Sequence, residues 1–157
     1  MMQMNELLEK KIIIFRLGEE EFGVPVEQVK SIEKVQSITR VPGTAPYITG
    51  VLNLRGVITP VIDLRARFEL GAYEKTEYTR MIVVSVNEIE AGLIADAAND
   101  VMDIHSDQIE PSPEVAGIIK TDYISGVVKL NKRLIIMLDL EEVLMSASGL
   151  ADPAFGA

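Results

Sequence analysis

Four stretches of the chain carry side chains that could do chemistry. DIHSDQ (103–108) places the one histidine, His105, between Asp103 and Asp107, the residue types of an acid–base site. DLRARFEL (63–70) and DLEEVLMS (139–146) each begin with an aspartate, so Asp63 and Asp139, with Asp103, are the carboxylates a small carboxylate-based enzyme would use. GVLNLRGVITPVIDL (50–64) is apolar nearly throughout yet holds Arg55 at its centre, a planar five-donor group suited to a carboxylate or a backbone carbonyl.

Each stretch also has a plainer reading. His105 fits a solvent-facing position at the end of a strand, because no nucleophile or oxyanion hole accompanies it. DIHSD lacks the ligand count and the glycine of a calcium loop. Asp63 and Asp139 fit N-caps of short helices, accepting from the first free amides. EEE (19–21) reads as a solvated charged tip at a strand turn. No G-x-G-x-x-G, G-x-x-x-x-G-K-[ST] or G-x-S-x-G occurs. The chain has no cysteine, which excludes disulfides, thiolate metal sites and cysteine nucleophiles, and a single histidine excludes a multi-histidine metal site. Much apolar surface and no catalytic constellation favour an interaction module over an enzyme, with no cofactor expected.

Bulk properties agree. At 157 residues the chain holds one ordinary domain or two very small ones sharing a core, and 48% hydrophobic with 25% charged residues is a folded composition. A formal net charge of −9 argues against nucleic acid and against an anionic membrane surface. No apolar run is long enough for a membrane span, and MMQMNELLEKK is no secretory signal, so the cytoplasm is the expected compartment.

The elements that would position these residues are strands, and they come twice. Val51 and Leu52 precede Arg55-Gly56, and Val57, Ile58, Val61 and Ile62 follow, which reads as a hairpin with its turn type open. Pro60, lacking an N–H, belongs at an edge or bulge. YITGVLNLRGVITPVIDL (47–64) overlies YISGVVKLNKRLIIMLDL (123–140) without a gap at a shift of 76, bringing Tyr47 onto Tyr123, Gly50 onto Gly126 and Asp63 onto Asp139. The Arg55-Gly56 tip falls on Asn131-Lys132. Upstream, IIIFRL (12–17) overlies MIVVSV (81–86) at a shift of 69, and PSPEVAG (111–117) is the natural place for the extra residues. The organisation expected is a first half over 11–70, a polar link over 71–80, a second half over 81–146 and a frayed tail over 147–157. MMQMNELL at the front could form a turn or two of helix, or none. Many short strands with Gly and Pro turns make an all-β fold, barrels or a sandwich, with the halves sharing an apolar interface. Met81, Met102 and Met137 read as core filling.

From about Lys11 to Leu144 the chain resembles the CheW family of chemotaxis coupling proteins. GVLNLRGVITPVIDLR (50–65) carries the resemblance most specifically, with FGVPVEQVKSI (22–32) and GLIADAANDVMDI (92–104) in support. The resemblance implies two intertwined five-stranded SH3-like barrels on a shared hydrophobic core, with short helices and no catalysis. It implies a scaffold that bridges chemoreceptor cytoplasmic tips to the regulatory domain of the histidine kinase CheA. Length fits a stand-alone coupling protein, recruited from the cytoplasm to membrane-associated arrays; the alternatives are a CheV-type or kinase-derived module, or a small carboxylate enzyme. By resemblance, Arg55, Gly50, Ala98 and Val101 are expected to contact the receptor, and Val29, Ser31, Val35, Glu110 and Val115 the kinase. Ser31 departs from a frequent family glutamate. Glu33, two positions on, is expected on the same strand face and could substitute. Asn131 at the matching tip is taken as a sign that Arg55 serves function rather than the turn.

Overall fold

The computed structural model describes residues 9–111 and 118–145. The tail 147–157, the front segment and most of the 111–117 loop, with Val115, lie outside the described residues.

The strands follow the apolar β-branched runs: β1 (Glu9–Leu17), β2 (Glu20–Pro25), β3 (Val29–Lys34), β4 (Ile48–Leu54) and β5 (Val57–Asp63) precede helix α1 (Leu64–Arg67). Then come β6 (Arg80–Val86), β7 (Ile89–Ala95), β8 (Ala97–His105), β9 (Ile109–Glu110), β10 (Ile124–Leu130), β11 (Arg133–Leu138) and helix α2 (Leu140–Met145). They form two SH3-like sheets, one of six strands in the order β8-β1-β2-β11-β10-β9 and one of five in the order β3-β6-β7-β5-β4. Five strands were expected in each. The sixth is β9, whose two residues pair with Val127 and Val128, where the first half makes only the single bridge Thr39–Val51.

Each sheet takes strands from both halves of the sequence, so the repeat is not the unit of pairing. β2 lies parallel to β11 with Gly23 opposite Met137, and β7 lies parallel to β5 with Gly92 opposite Val61. These two joins are the same join under the repeat shifts. The register breaks recur as well: β3 is bulged between Val29 and Ser31, and β8 between Ala98 and Asp100.

Alternation along the strands divides the core. Ile13, Phe15 and Leu17 of β1, Ile82 and Val84 of β6, and Leu93 of β7 point into one cluster shared by both sheets. Ile12, Ile14, Ile135 and Met137 form a second cluster on the other face of the six-stranded sheet, and Leu52, Leu54, Val61 and Met81 its counterpart on the five-stranded sheet. Two thin cores are thereby joined through a thicker third one, as short repeats require. Met81 and Met137 are core filling, and Met102 is partly so.

Polar ties close the ends. Asp63 caps α1, accepting from the amides of Arg65 (3.0 Å) and Ala66 (3.4 Å), and also holds the link through the Tyr73 amide (3.3 Å). Burial raises the Asp63 pKa, against the pull of these amides and of Arg65. Asp139 accepts from the Glu142 amide (3.2 Å) at the start of α2. Asp96, after β7, binds the Arg65 guanidinium at 2.6 to 3.1 Å and the Gly18 amide at 2.7 Å, tying α1 to the β1–β2 turn. Burial pushes the Asp96 carboxyl up, but Arg65 and the Gly18 amide outweigh it and hold the group below its usual range. Stabilisation of that sign is present above the unfolded pKa of about 3.9 and is lost as pH falls through the folded value. Asp96→Asn should therefore cost on the order of 1–3 kcal/mol at neutral pH. The gap between its urea midpoint and the parent's should begin to narrow as pH falls below about 4 and close once pH has fallen through the lower folded value, and a gap that does not narrow over that range would show that the charge of Asp96 contributes nothing.

Candidate functional site

Arg55 sits at the tip of the β4–β5 hairpin. Arg55 and Gly56 have φ of 52° and 88°, the two positive values of a type I′ turn, and the Gly56 amide donates to Asn53 Oδ1 at 2.8 Å. Pro60 lies opposite Val51 of β4, one residue before β5 begins to pair with β7, so its missing N–H leaves no ladder bond unmade. The Arg55 side chain is 76% exposed and reaches Glu33 of β3, Nη1 to Oε2 at 3.7 Å. Glu33 is only 17% exposed, and its Oε2 also accepts from the Ser31 hydroxyl at 2.8 Å. Ser31 and Glu33 do share a strand face, and a carboxylate stands beside Ser31.

The two sets of expected contact residues are distributed over both sheets. The β3 bulge turns Val29 toward the shared core, opposite Val84, while Ser31 faces the other way, opposite Val83. Val35, just after β3, packs on the same inner cluster as Val83. Val29, Ser31 and Val35 thus do not lie on a single face. On β8 the bulge has the converse effect: Ala98 is opposite Phe15 and Val101 opposite Ile13, so both sit on the shared-core face, Ala98 half-buried and Val101 52% exposed. Glu110 is exposed on β9. Gly50 is buried in β4, against the backbone carbonyl of Thr39. Arg55 and Ser31, assigned to different partners, both touch Glu33.

Two features escaped the sequence reading. EEE (19–21) is not merely a solvated tip: Glu21 takes a forked pair from Arg133 at 2.8 and 3.1 Å, and Arg133 also reaches Asp100 at 3.6 Å. The second hairpin thus has its own guanidinium engaged with β8, on the residue directly after the tip. Arg67 lies between the rings of Tyr47 and Tyr123; the repeat pairs the two tyrosines, which was the available signal. The candidate acid–base groups stay apart. Asp63 and Asp139 cap separate helices, Asp103 pairs with Lys11 at 3.7 Å, and His105 is exposed at the end of β8. Among the described residues no group of three or more histidine, aspartate or glutamate side chains could hold a metal ion. No helix among them is long and apolar enough to cross a membrane.

The family model of the CheW-like domain matches residues 11–148. The chain belongs to the CheW-like family. The chemotaxis protein CheW of Bacillus subtilis (strain 168) is 50% identical over 137 residues, covering 86% of each chain. The chemotaxis protein CheW of Klebsiella aerogenes is 37% identical over 142 residues, 90% of this chain and 86% of that one. The crystal structure of the scaffolding protein TtCheW from Thermoanaerobacter tengcongensis superposes with a TM-score of 0.80 at 39% identity, covering 86% of this chain and 87% of that one. CheW-family proteins are chemotaxis scaffolds and not enzymes, and this chain is a scaffold of that kind.

Proposed function

We propose that this scaffold couples chemoreceptor cytoplasmic tips to the regulatory domain of the histidine kinase CheA, in the cytoplasm beside the receptor arrays. The observation that carries the reading is the family match across 11–148, over which the NLRG hairpin presents an exposed guanidinium. Receptor coupling falls to Arg55, Gly50, Ala98 and Val101. Arg55 and Val101 offer exposed side chains, Ala98 a half-buried one, and Gly50 shapes the hairpin. Kinase contact falls to Val29 and Ser31 of β3, to Val35 just after it, to Glu110 of the other sheet, and to Val115, which lies outside the described residues. A helical hairpin needs a groove, which two packed sheets offer between them, whereas a like β-module docks on strand edges, and β3 and β9 are edges.

The test is a pair of NMR titrations of the labelled chain, one with a receptor-tip hairpin peptide and one with the kinase regulatory domain. The kinase domain is expected to shift amides of Val29, Ser31 and Glu110, and the receptor tip those of Arg55 and Val101. Kinase-induced shifts confined to the Arg55 turn would overturn the assignment of faces. Absence of binding to both partners would overturn the adaptor role.

A further inference from the structure

Arg67 occupies a place that the repeat can fill only once. Its guanidinium carbon lies 4.5 Å from the ring centroid of Tyr47 and 4.8 Å from that of Tyr123. These tyrosines are matched by the 76-residue shift, and each roots a hairpin: the Tyr47 carbonyl accepts from the Asp63 amide and the Tyr123 carbonyl from the Asp139 amide, both at 2.8 Å. The same shift matches Arg67 with Val143, and Arg67 Nε donates to the Val143 carbonyl at 3.2 Å. A residue that touches its own repeat counterpart lies on the local twofold axis relating the halves. Here the pattern that keeps both tyrosines breaks into arginine and valine.

We propose that Arg67 is a positioning residue, a pin on the internal twofold that fixes the root of the β4–β5 hairpin against that of β10–β11. A guanidinium suits the place because its two faces can each take an aromatic ring while its edge donates to a carbonyl. If the pin is independent of which half supplies it, an arginine at position 143, where Val143 is now buried, must reach the same two rings.

That symmetry supplies the test. Arg67→Val is expected to raise the unfolding equilibrium constant by roughly tenfold or more, and to shift the backbone amides of both hairpin tips, around Arg55 and Asn131. Val143→Arg alone sets a second guanidinium beside the first and is also expected to destabilise. The double variant Arg67→Val with Val143→Arg moves the pin to the other half. It should be more stable than either single variant, as contacting residues can be, and should return both tips to their parent amide positions, a recovery at a distance that a purely local packing defect would not give. Losses that simply add, or amide shifts in Arg67→Val that stop at the immediate neighbours of residue 67, would overturn the proposal. Should Arg67→Val fail to fold alone, a folded double variant supports the pin and an unfolded one refutes it.

Discussion

Gly50→Ala should melt far below the parent and lose receptor coupling for that reason. The Thr39 carbonyl accepts from the Val51 amide at 2.8 Å, and the Thr39 amide donates back to the Val51 carbonyl at 2.8 Å. That reciprocal pair brings the 35–46 segment onto β4 beside Gly50, whose φ is 155°. A methyl group there would overlap the Thr39 carbonyl and press on Ile38. A carbonyl held by the backbone cannot turn aside as a side chain can, so the bridge must open or the strand must bend. Backbone strain and overpacking of about 1–3 kcal/mol each put the loss at about 2–6 kcal/mol, a fall in Tm of roughly 4–24 °C for a chain this size. Gly126 is the matched control. A methyl there would lie 3.0 Å from the Glu110 carbonyl, with Ile109 as its nearest obstacle, and that side chain can rotate. Gly126→Ala should therefore cost clearly less. Thermal melts of both variants decide the matter: a Gly50→Ala protein that melts like the parent but fails to bind receptor would make Gly50 a contact residue instead of a bridge residue.

The two glycines show what was legible. Their match at a shift of 76 came from the sequence, as did the hairpins, the capping roles of Asp63 and Asp139, and the shared core. These features rest on local pattern: alternation, turn chemistry and N-cap geometry are written within a few residues of each other. The exchange of strands was not written that way. β2 joins β11 across more than a hundred residues, and its sequence would pair equally well within its own half. The bulges of β3 and β8 were not legible for a related reason, since one bulged residue reverses the alternation that follows it and leaves no apolar signature. The inference drawn from Asn131 also changes. A tip without arginine suggested that the fold makes no demand there, yet Arg133 on that same hairpin reaches Asp100 of β8, much as Arg55 reaches Glu33 of β3. Both hairpins use a guanidinium toward the bulged strand, and the halves differ in where it is placed and in how fully it is engaged. Arg133 is committed to two carboxylates, one of them through a fork of hydrogen bonds. Arg55 has a single long contact and most of its surface in solvent.

That difference in engagement sets the expectation for Arg55→Ala. Exposed ion pairs contribute about 0–1 kcal/mol, and at 3.7 Å the pair with Glu33 is beyond hydrogen-bond range, so the fold and its Tm should be nearly unchanged. Glu33 keeps the Ser31 hydroxyl as a partner and is not stranded. Receptor coupling should weaken by about 1–3 kcal/mol, roughly 5- to 150-fold in Kd. A receptor-tip carboxylate or carbonyl would lose a charged donor, and the donors that Arg55 now turns to solvent are those a partner would take. Arg55→Lys should recover part of the loss, since the charge remains but the planar fork does not. Binding of the kinase regulatory domain should be nearly unchanged, because Ser31 and Glu33 hold one another without the arginine. Titration calorimetry with each partner, alongside thermal melts, separates the outcomes. Parent-like receptor affinity in Arg55→Ala would remove Arg55 from the docking site. A fall of many degrees in Tm would make it a structural tie between the hairpin and β3, the role Arg133 already fills in the other sheet.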